Sequence, residues 1–261
     1  MPAEQIKRQI ANTFGNASSS YDGSARLQRF SGELLLSNLP KKSESVVLDL
    51  GCGTGYFADV LATQFNHVIG LDLSKEMLNF SNLNRNDKIN WLNADIHSIP
   101  LMDNSVDIVF SNLAIQWCDP LTDAFAEIKR ILKPDGVFIF SSLLDGTLFE
   151  LKQSWLSVDT DKHVIDFSKL NDIEKSLHVS GLSISELEQQ PVVLDYENVK
   201  HLAKELKNLG ASKVPKRTRK GLSGKDSWKK MTQAYDGYLT EQGAYPATYQ
   251  LCTGMVVNNH E

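Results

Sequence analysis

Apolar positions along the chain follow two periods. Residues 4–14 carry Ile6, Ile10 and Phe14 on one helical stripe, and Leu27, Phe30, Leu34, Leu35 and Leu39 form a second that ends at Pro40. Short apolar runs then alternate with helical stripes. Residues 46–50, 67–73, 89–93, 106–111 and 137–143 predict five strands. Phe57, Val60, Leu61 and Phe65 predict a helix after the first strand, and Leu121, Phe125, Ile128 and Leu132 one after the fourth. Ser74 is placed to cap the helix after the second strand, and Asp119–Pro120 to start the one at 121. Lys133, Pro134, Asp135 and Gly136 suit a type I turn before the fifth strand. Such alternation implies a parallel sheet covered by helices on both faces.

After residue 145 the rhythm breaks. Residues 148–158 and 171–180 read as helices, 182–196 as a strand or hairpin, and Val199, Leu202, Ala203, Leu206 and Leu209 as another helical stripe. Residues 213–224 are polar, basic and glycine-interrupted, as in a lid or loop. Trp228, Met231, Tyr235 and Leu239 mark a last helix, and residues 249–257 a closing strand, expected in the antiparallel edge pair common in such a fold. The expected fold is α/β and Rossmann-like: a seven-stranded, mostly parallel sheet in one domain. Residues 1–40 form an N-terminal helical cap and 45–145 the cofactor-binding core. Residues 146–245 supply substrate-side helices and a basic lid, and 246–258 the closing strand. The cap is expected over the C-terminal edge of the sheet, where open α/β folds bind ligands.

The first strand runs into Asp49, Leu50, Gly51, Cys52, Gly53, Thr54 and Gly55. Glycines there permit positive φ and close approach of a ligand to backbone. The spacing is G-x-G-x-G. Tyr56 stands where the dinucleotide fingerprint needs its third glycine, and no Lys-Ser or Lys-Thr pair follows as in a phosphate loop. Asp49 would repel a pyrophosphate but hold an ammonium group. The pattern resembles the S-adenosylmethionine site of Rossmann-like methyltransferases. Asp72 (with Leu73) ends the second strand, placed for the ribose hydroxyls. Asp95 and the Ile96 amide follow the third, placed for adenine, and Asn112 ends the fourth, beside the methionine portion. Capping is the plain alternative for each acid, but the register with the glycine turn favours one site at the sheet's switch point.

The net charge of −5 argues against general nucleic-acid binding. No apolar run approaches a membrane span, and the first residues lack the apolar core of a signal peptide. Three scattered cysteines fit a cytoplasmic location, and the six histidines show no metal-ligand spacing. Charge is also unevenly distributed. Lys213, Lys216, Arg217, Arg219, Lys220, Lys225, Lys229 and Lys230 face the single acid Asp226 between 213 and 230, so the remainder is strongly acidic. Such an island steers a negative partner.

Phe14, Gly15, Asn16 and Ala17 with Tyr21–Asp22, then Leu27–Gln28, then Ser111 to Cys118 with its Gln-Trp-Cys stretch, resemble the malonyl-acyl-carrier-protein O-methyltransferases of biotin synthesis (BioC type). Gly210–Ala211–Ser212, Arg217, Gly221 to Lys225 and Tyr245 to Tyr249 are similar to that family as well, so the likeness covers the whole chain. Ser223 stands where the family pattern has threonine, and the hydroxyl survives.

The resemblance implies methyl transfer from S-adenosylmethionine to the free carboxylate of a malonyl thioester, with an acidic acyl carrier protein as partner. It also implies that Tyr21 closes over the methyl donor and that Gln116 and Trp117 line the acceptor pocket. A guanidinium matches a carboxylate in a fork, which favours Arg217 for the malonyl group, with Arg26 and Arg29 as alternatives. A carboxylate acceptor is already ionised and needs no general base. Rival readings are a methyltransferase for another acid or a quinone-like ring, a non-catalytic adenosylmethionine-binding regulator, and a nicotinamide reductase.

Overall fold

A computed structural model describes residues 3–40, 42–211 and 224–259. Among these, seven strands form one sheet in the order β3-β2-β1-β4-β5-β7-β6. β1 (Val46–Leu50), β2 (His67–Asp72), β3 (Asn90–Asn93), β4 (Val106–Asn112) and β5 (Leu132–Leu143) run parallel. β7 (Tyr245–Val257) lies antiparallel between β5 and the edge strand β6 (Ser183–Tyr196). The strand order reverses between β1 and β4, which opens a crevice at their C-terminal ends.

Neighbouring residues of β1 serve opposite faces, which explains its unbroken apolar run. Val47 packs with Phe57, Leu61 and Phe110 beneath α3 (Arg26–Ser37) and α4 (Tyr56–Leu61). Leu48 and Leu50 pack with Phe125, Ile128 and Phe140 on the side of α6 (Leu121–Ile131) and α8 (Leu170–Ser180). A further apolar cluster joins α7 (Phe149–Leu156), α9 (Val199–Asn208) and α10 (Lys225–Tyr235) to the start of β7. The cap consists of α1 (Ala3–Gly15), the short α2 (Ser18–Tyr21) and α3, and α1 rests on α5 (Lys75–Asn84). Ser74 caps α5 by accepting the Met77 amide at 3.4 Å.

Three local expectations are corrected, and one alternative is decided. Residues 133–136 lie within β5, whose ladder shifts register opposite Val106 and Ile108, with Asp135 left-handed at φ 60°. Asp119 does not cap α6: Pro120 occupies that position, and no side chain caps the helix. Of the two alternatives for residues 182–196 the strand holds, because β7 pairs along it from Ser183 to Tyr196. Phe30 belongs to the helical stripe by spacing, yet it is 45% exposed.

Candidate active site

The glycine turn follows β1 with Gly51, Gly53 and Gly55 at φ of 75°, 54° and 72°. Packing forbids a side chain at two of them. An added Cβ at Gly51 would come within 2.4 Å of Ala114, and one at Gly55 within 2.5 Å of Trp91. At Gly53 the same atom would meet nothing within 4 Å, so this glycine keeps space open for a guest. The Gly53 amide donates to Asp72 Oδ2 at 2.9 Å, tying the turn to the end of β2.

A cleft of about 860 Å³ lies over the strand ends, lined by Gly51, Gly53, Asp72, Leu73, Asp95, Ile96 and Asn112, whereas Gly55 of the turn does not line it. A second cavity of about 450 Å³ adjoins it, reached through Tyr21, Gly51, Gly53 and Asn112, which line both. Asp49 lies in the wall of this second cavity.

The three aspartates differ electrostatically. Asp49 is 2% exposed and its Oδ2 has no hydrogen-bond partner. Burial, reinforced by the nearby Asp72 charge, pushes its carboxyl up to about 8. Asp72 is raised by burial as well, although the Ser74 and Gly53 amides partly offset this. Asp95 is partly buried, which alone would raise it, but the His97 amide and the side chains of Lys7 and His97 bring it below its ordinary value. Lys7 Nζ lies 2.5 Å from Asp95 Oδ2 and 3.1 Å from His97 Nδ1.

Cap residues roof the cleft. Phe14 meets Trp117 edge-on with ring centroids 5.2 Å apart, and both line the cleft. Tyr21, at the end of α2, is set by the next residue. Asp22 accepts the Thr54 hydroxyl at 2.6 Å and forms an ion pair with Arg85, whose Nε donates to the Thr54 carbonyl at 2.9 Å. The cap is therefore tied to the glycine turn itself. Burial, then the charges of Asp72 and Asp22, hold the Tyr21 phenol far above its ordinary value, so it is a neutral hydroxyl.

Several candidate residues are placed differently from expectation. Asn112 uses its side chain inward: Oδ1 accepts from Ser31 and Ser141 at 2.6 and 2.7 Å, and Nδ2 donates to the Gln28 carbonyl at 2.8 Å. Gln116 lines neither cavity. Its Nε2 donates to the Leu113 carbonyl at 2.7 Å, while its buried Oε1 has no partner. Arg26 is engaged by Glu205 at 3.0 Å and lies over the Tyr196 ring. Lys213, Lys216, Arg217, Arg219 and Lys220 lie outside the described residues; Lys225, Lys229 and Lys230 are exposed on α10. Sequence reading missed Lys7, His97 and Arg85. Their side chains reach the site from positions that no strand-end pattern marks.

The unpaired acceptors on Asp49 and Gln28, the open space at Gly53 and the aspartates at successive strand ends fit a nucleoside that carries positive charge. The comparisons agree. A family model described as a methyltransferase domain matches residues 48–140. The chain is 38% identical over 250 residues to the malonyl-[acyl-carrier protein] O-methyltransferase of Pectobacterium atrosepticum, covering 96% of each. To that of Yersinia pestis it is 36% identical over 257 residues, 98% of this chain and 93% of the other. To the biotin biosynthesis bifunctional protein BioHC of Saccharophagus degradans it is 35% identical over 258 residues. That match covers 95% of this chain and 46% of the relative, so the chain spans about half the length of such bifunctional proteins.

Among solved structures, the YcgJ protein of Bacillus subtilis matches with a TM-score of 0.66 at 18% identity, over 89% of this chain and all of that one. A putative methyltransferase from Bacillus halodurans matches at 0.64 and 15%, over 87% and 98%. These two share the fold. The chain is thus an S-adenosylmethionine-dependent methyltransferase, with that compound as its methyl donor. With relatives this similar over nearly their whole length, it belongs to the malonyl-[acyl-carrier protein] O-methyltransferase family.

Proposed function

We propose that this chain esterifies the free carboxylate of a malonyl thioester carried on an acyl carrier protein, as a cytoplasmic step of biotin synthesis. The observation that carries the reading is the full-length match to stand-alone malonyl-[acyl-carrier protein] O-methyltransferases. The site's chemistry supports it. When bound, S-adenosylmethionine supplies an electrophilic methyl on a positively charged sulfur. Asp72 and Asp95 orient the nucleoside end, and Asp49 faces the charged tail. Tyr21, Phe14 and Trp117 keep water out of the cleft. The acceptor carboxylate arrives ionised, so no side chain has to remove a proton. Cys118 is not a competing nucleophile, since burial and then the Asp95 charge push its thiol up to about 12. Orientation alone supplies roughly 7–11 kcal/mol of such a barrier.

The basic residues at 213–230 are read as the docking surface for the carrier protein, and Arg217 as the partner of the malonyl carboxylate. Trp117, which lines the larger cleft, is assigned to the acceptor side. Purified protein incubated with methyl-labelled donor and malonyl-carrier protein should form a base-labile labelled ester. Equal transfer to succinyl-carrier protein would overturn the assigned acceptor. Arg217→Gln should raise the KM for the malonyl thioester and leave homocysteine-product binding close to wild type; the reverse pattern would remove Arg217 from the acceptor site.

A further inference from the structure

No residue of α9 lines either cavity, yet the end of this helix backs the roof of the cleft. Asn198 caps its start by accepting the His201 amide, and Val199 and Leu202 seat it in the late apolar cluster. It stops at Gly210, left-handed at φ 74°, where the amides of Gly210 and Ala211 return to the carbonyls of Lys207 and Leu206. This last turn then meets the cap repeatedly. Gly210 lies against the chain at Thr13 and Phe14, where an added Cβ would stand 2.9 Å from the Thr13 carbonyl oxygen and 3.1 Å from Phe14 Cα. Asn208 grips the segment on both sides of Tyr21. Its carbonyl accepts the Ser20 hydroxyl at 3.1 Å, shared with the Ala17 carbonyl, and its Nδ2 donates to the buried Ser24 Oγ at 3.1 Å. Glu205 accepts from Arg26 at 3.0 Å and from the Tyr196 hydroxyl at 2.7 Å, which fixes the start of α3 to the same turn.

Tyr21 needs such support. The helix that carries it, α2, has four residues and no side-chain cap at its start, too little to hold a direction by itself. Asp22 ties it to the glycine turn; α9 ties it to the late helical layer. We propose that Asn208 is a positioning residue for methyl transfer: from α9 it holds residues 20–24 so that Tyr21 stands over the bound methyl donor. Its effect passes through Tyr21 alone. The inference rests on the methyl-transfer reading of the cleft and holds for any acceptor.

A double-mutant cycle read by calorimetry with S-adenosylhomocysteine tests it. Asn208→Ala removes the bond to Ser24 and should weaken that ligand by about 3- to 10-fold, the worth of one hydrogen bond. Asn208→Asp should restore most of the affinity, because the Ser24 hydroxyl can donate to the new carboxylate. In a Tyr21→Ala background, Asn208→Ala should change the affinity by less than about 2-fold, since the group it acts through is gone. The same loss in both backgrounds would show a general loosening of the fold and overturn the proposal. So would wild-type affinity in Asn208→Ala with only a lowered Tm. Should Asn208→Ala fail to fold, Ser24→Ala removes the same bond from its other end and takes its place in the cycle. Failure of the malonyl-carrier assay would strike the acceptor assignment and leave these binding outcomes to decide this one.

Discussion

Asp49 is the residue whose charge the methyl donor has to change. With its carboxyl raised to about 8 by burial and by Asp72, it is largely protonated at neutral pH in the empty protein. The Cys52 thiol beside it is also raised, by burial and then by Asp49 and Asp72, and stays neutral. A cation binds the ionised form of Asp49, so donor affinity should climb as pH rises toward 8 and level off above it. Calorimetry at pH 7 in two buffers of different ionisation enthalpy should detect net proton release on binding, and Asp49→Asn should remove it. The linkage to stability has the opposite sign. The unfolded chain loses this proton near 3.8 and the fold near 8, so the empty protein loses stability as pH rises between those values. Asp49, Asp72 and Asp95 were legible because strand ends in a βα alternation are fixed by the pattern. Lys7 was not: it meets Asp95 across 88 residues of sequence, from a helix whose stripe reports only its buried side.

At the level of elements, the cap is held by a polar knot as well as by apolar packing. Asp22 joins Thr54 of the glycine turn and Arg85 beyond α5, and it directly follows Tyr21. Asp22→Ala would leave a hydroxyl and a guanidinium short of their partner, a loss of about 1–3 kcal/mol. Urea denaturation should show that loss, and S-adenosylhomocysteine binding should weaken as Tyr21 loses its register. Wild-type stability with weakened binding would assign Asp22 to the ligand directly. The sequence marked the cap's two long helices correctly, since each has a clear apolar stripe. It could not show how they attach, because Arg85 sits in an undistinguished polar stretch after α5. The misread turn at residues 133–136 has a similar origin: its turn-forming residues are real, but neighbouring strands pair across the irregularity.

For the whole molecule, charge separation is the property most visible in sequence. The exposed Lys225, Lys229 and Lys230 lie on α10, which packs against α7 in the late helical layer. Changing Lys229 and Lys230 to Glu should raise the KM for a carrier-bound substrate several-fold and flatten its salt dependence, with a smaller change for the coenzyme A thioester. A response confined to the coenzyme A thioester would contradict docking there. The parallel sheet followed from periodicity, whereas its late antiparallel pair was expected only from the habit of this fold family. The second cavity followed from neither, since it is built from α3, the turn after β1 and the cap at once. Gly53 gives that site its simplest probe. One methyl added there touches no protein atom and strains the backbone by only about 1–2 kcal/mol. Gly53→Ala should therefore yield a protein intact in every respect except that its methyl donor finds the seat already taken.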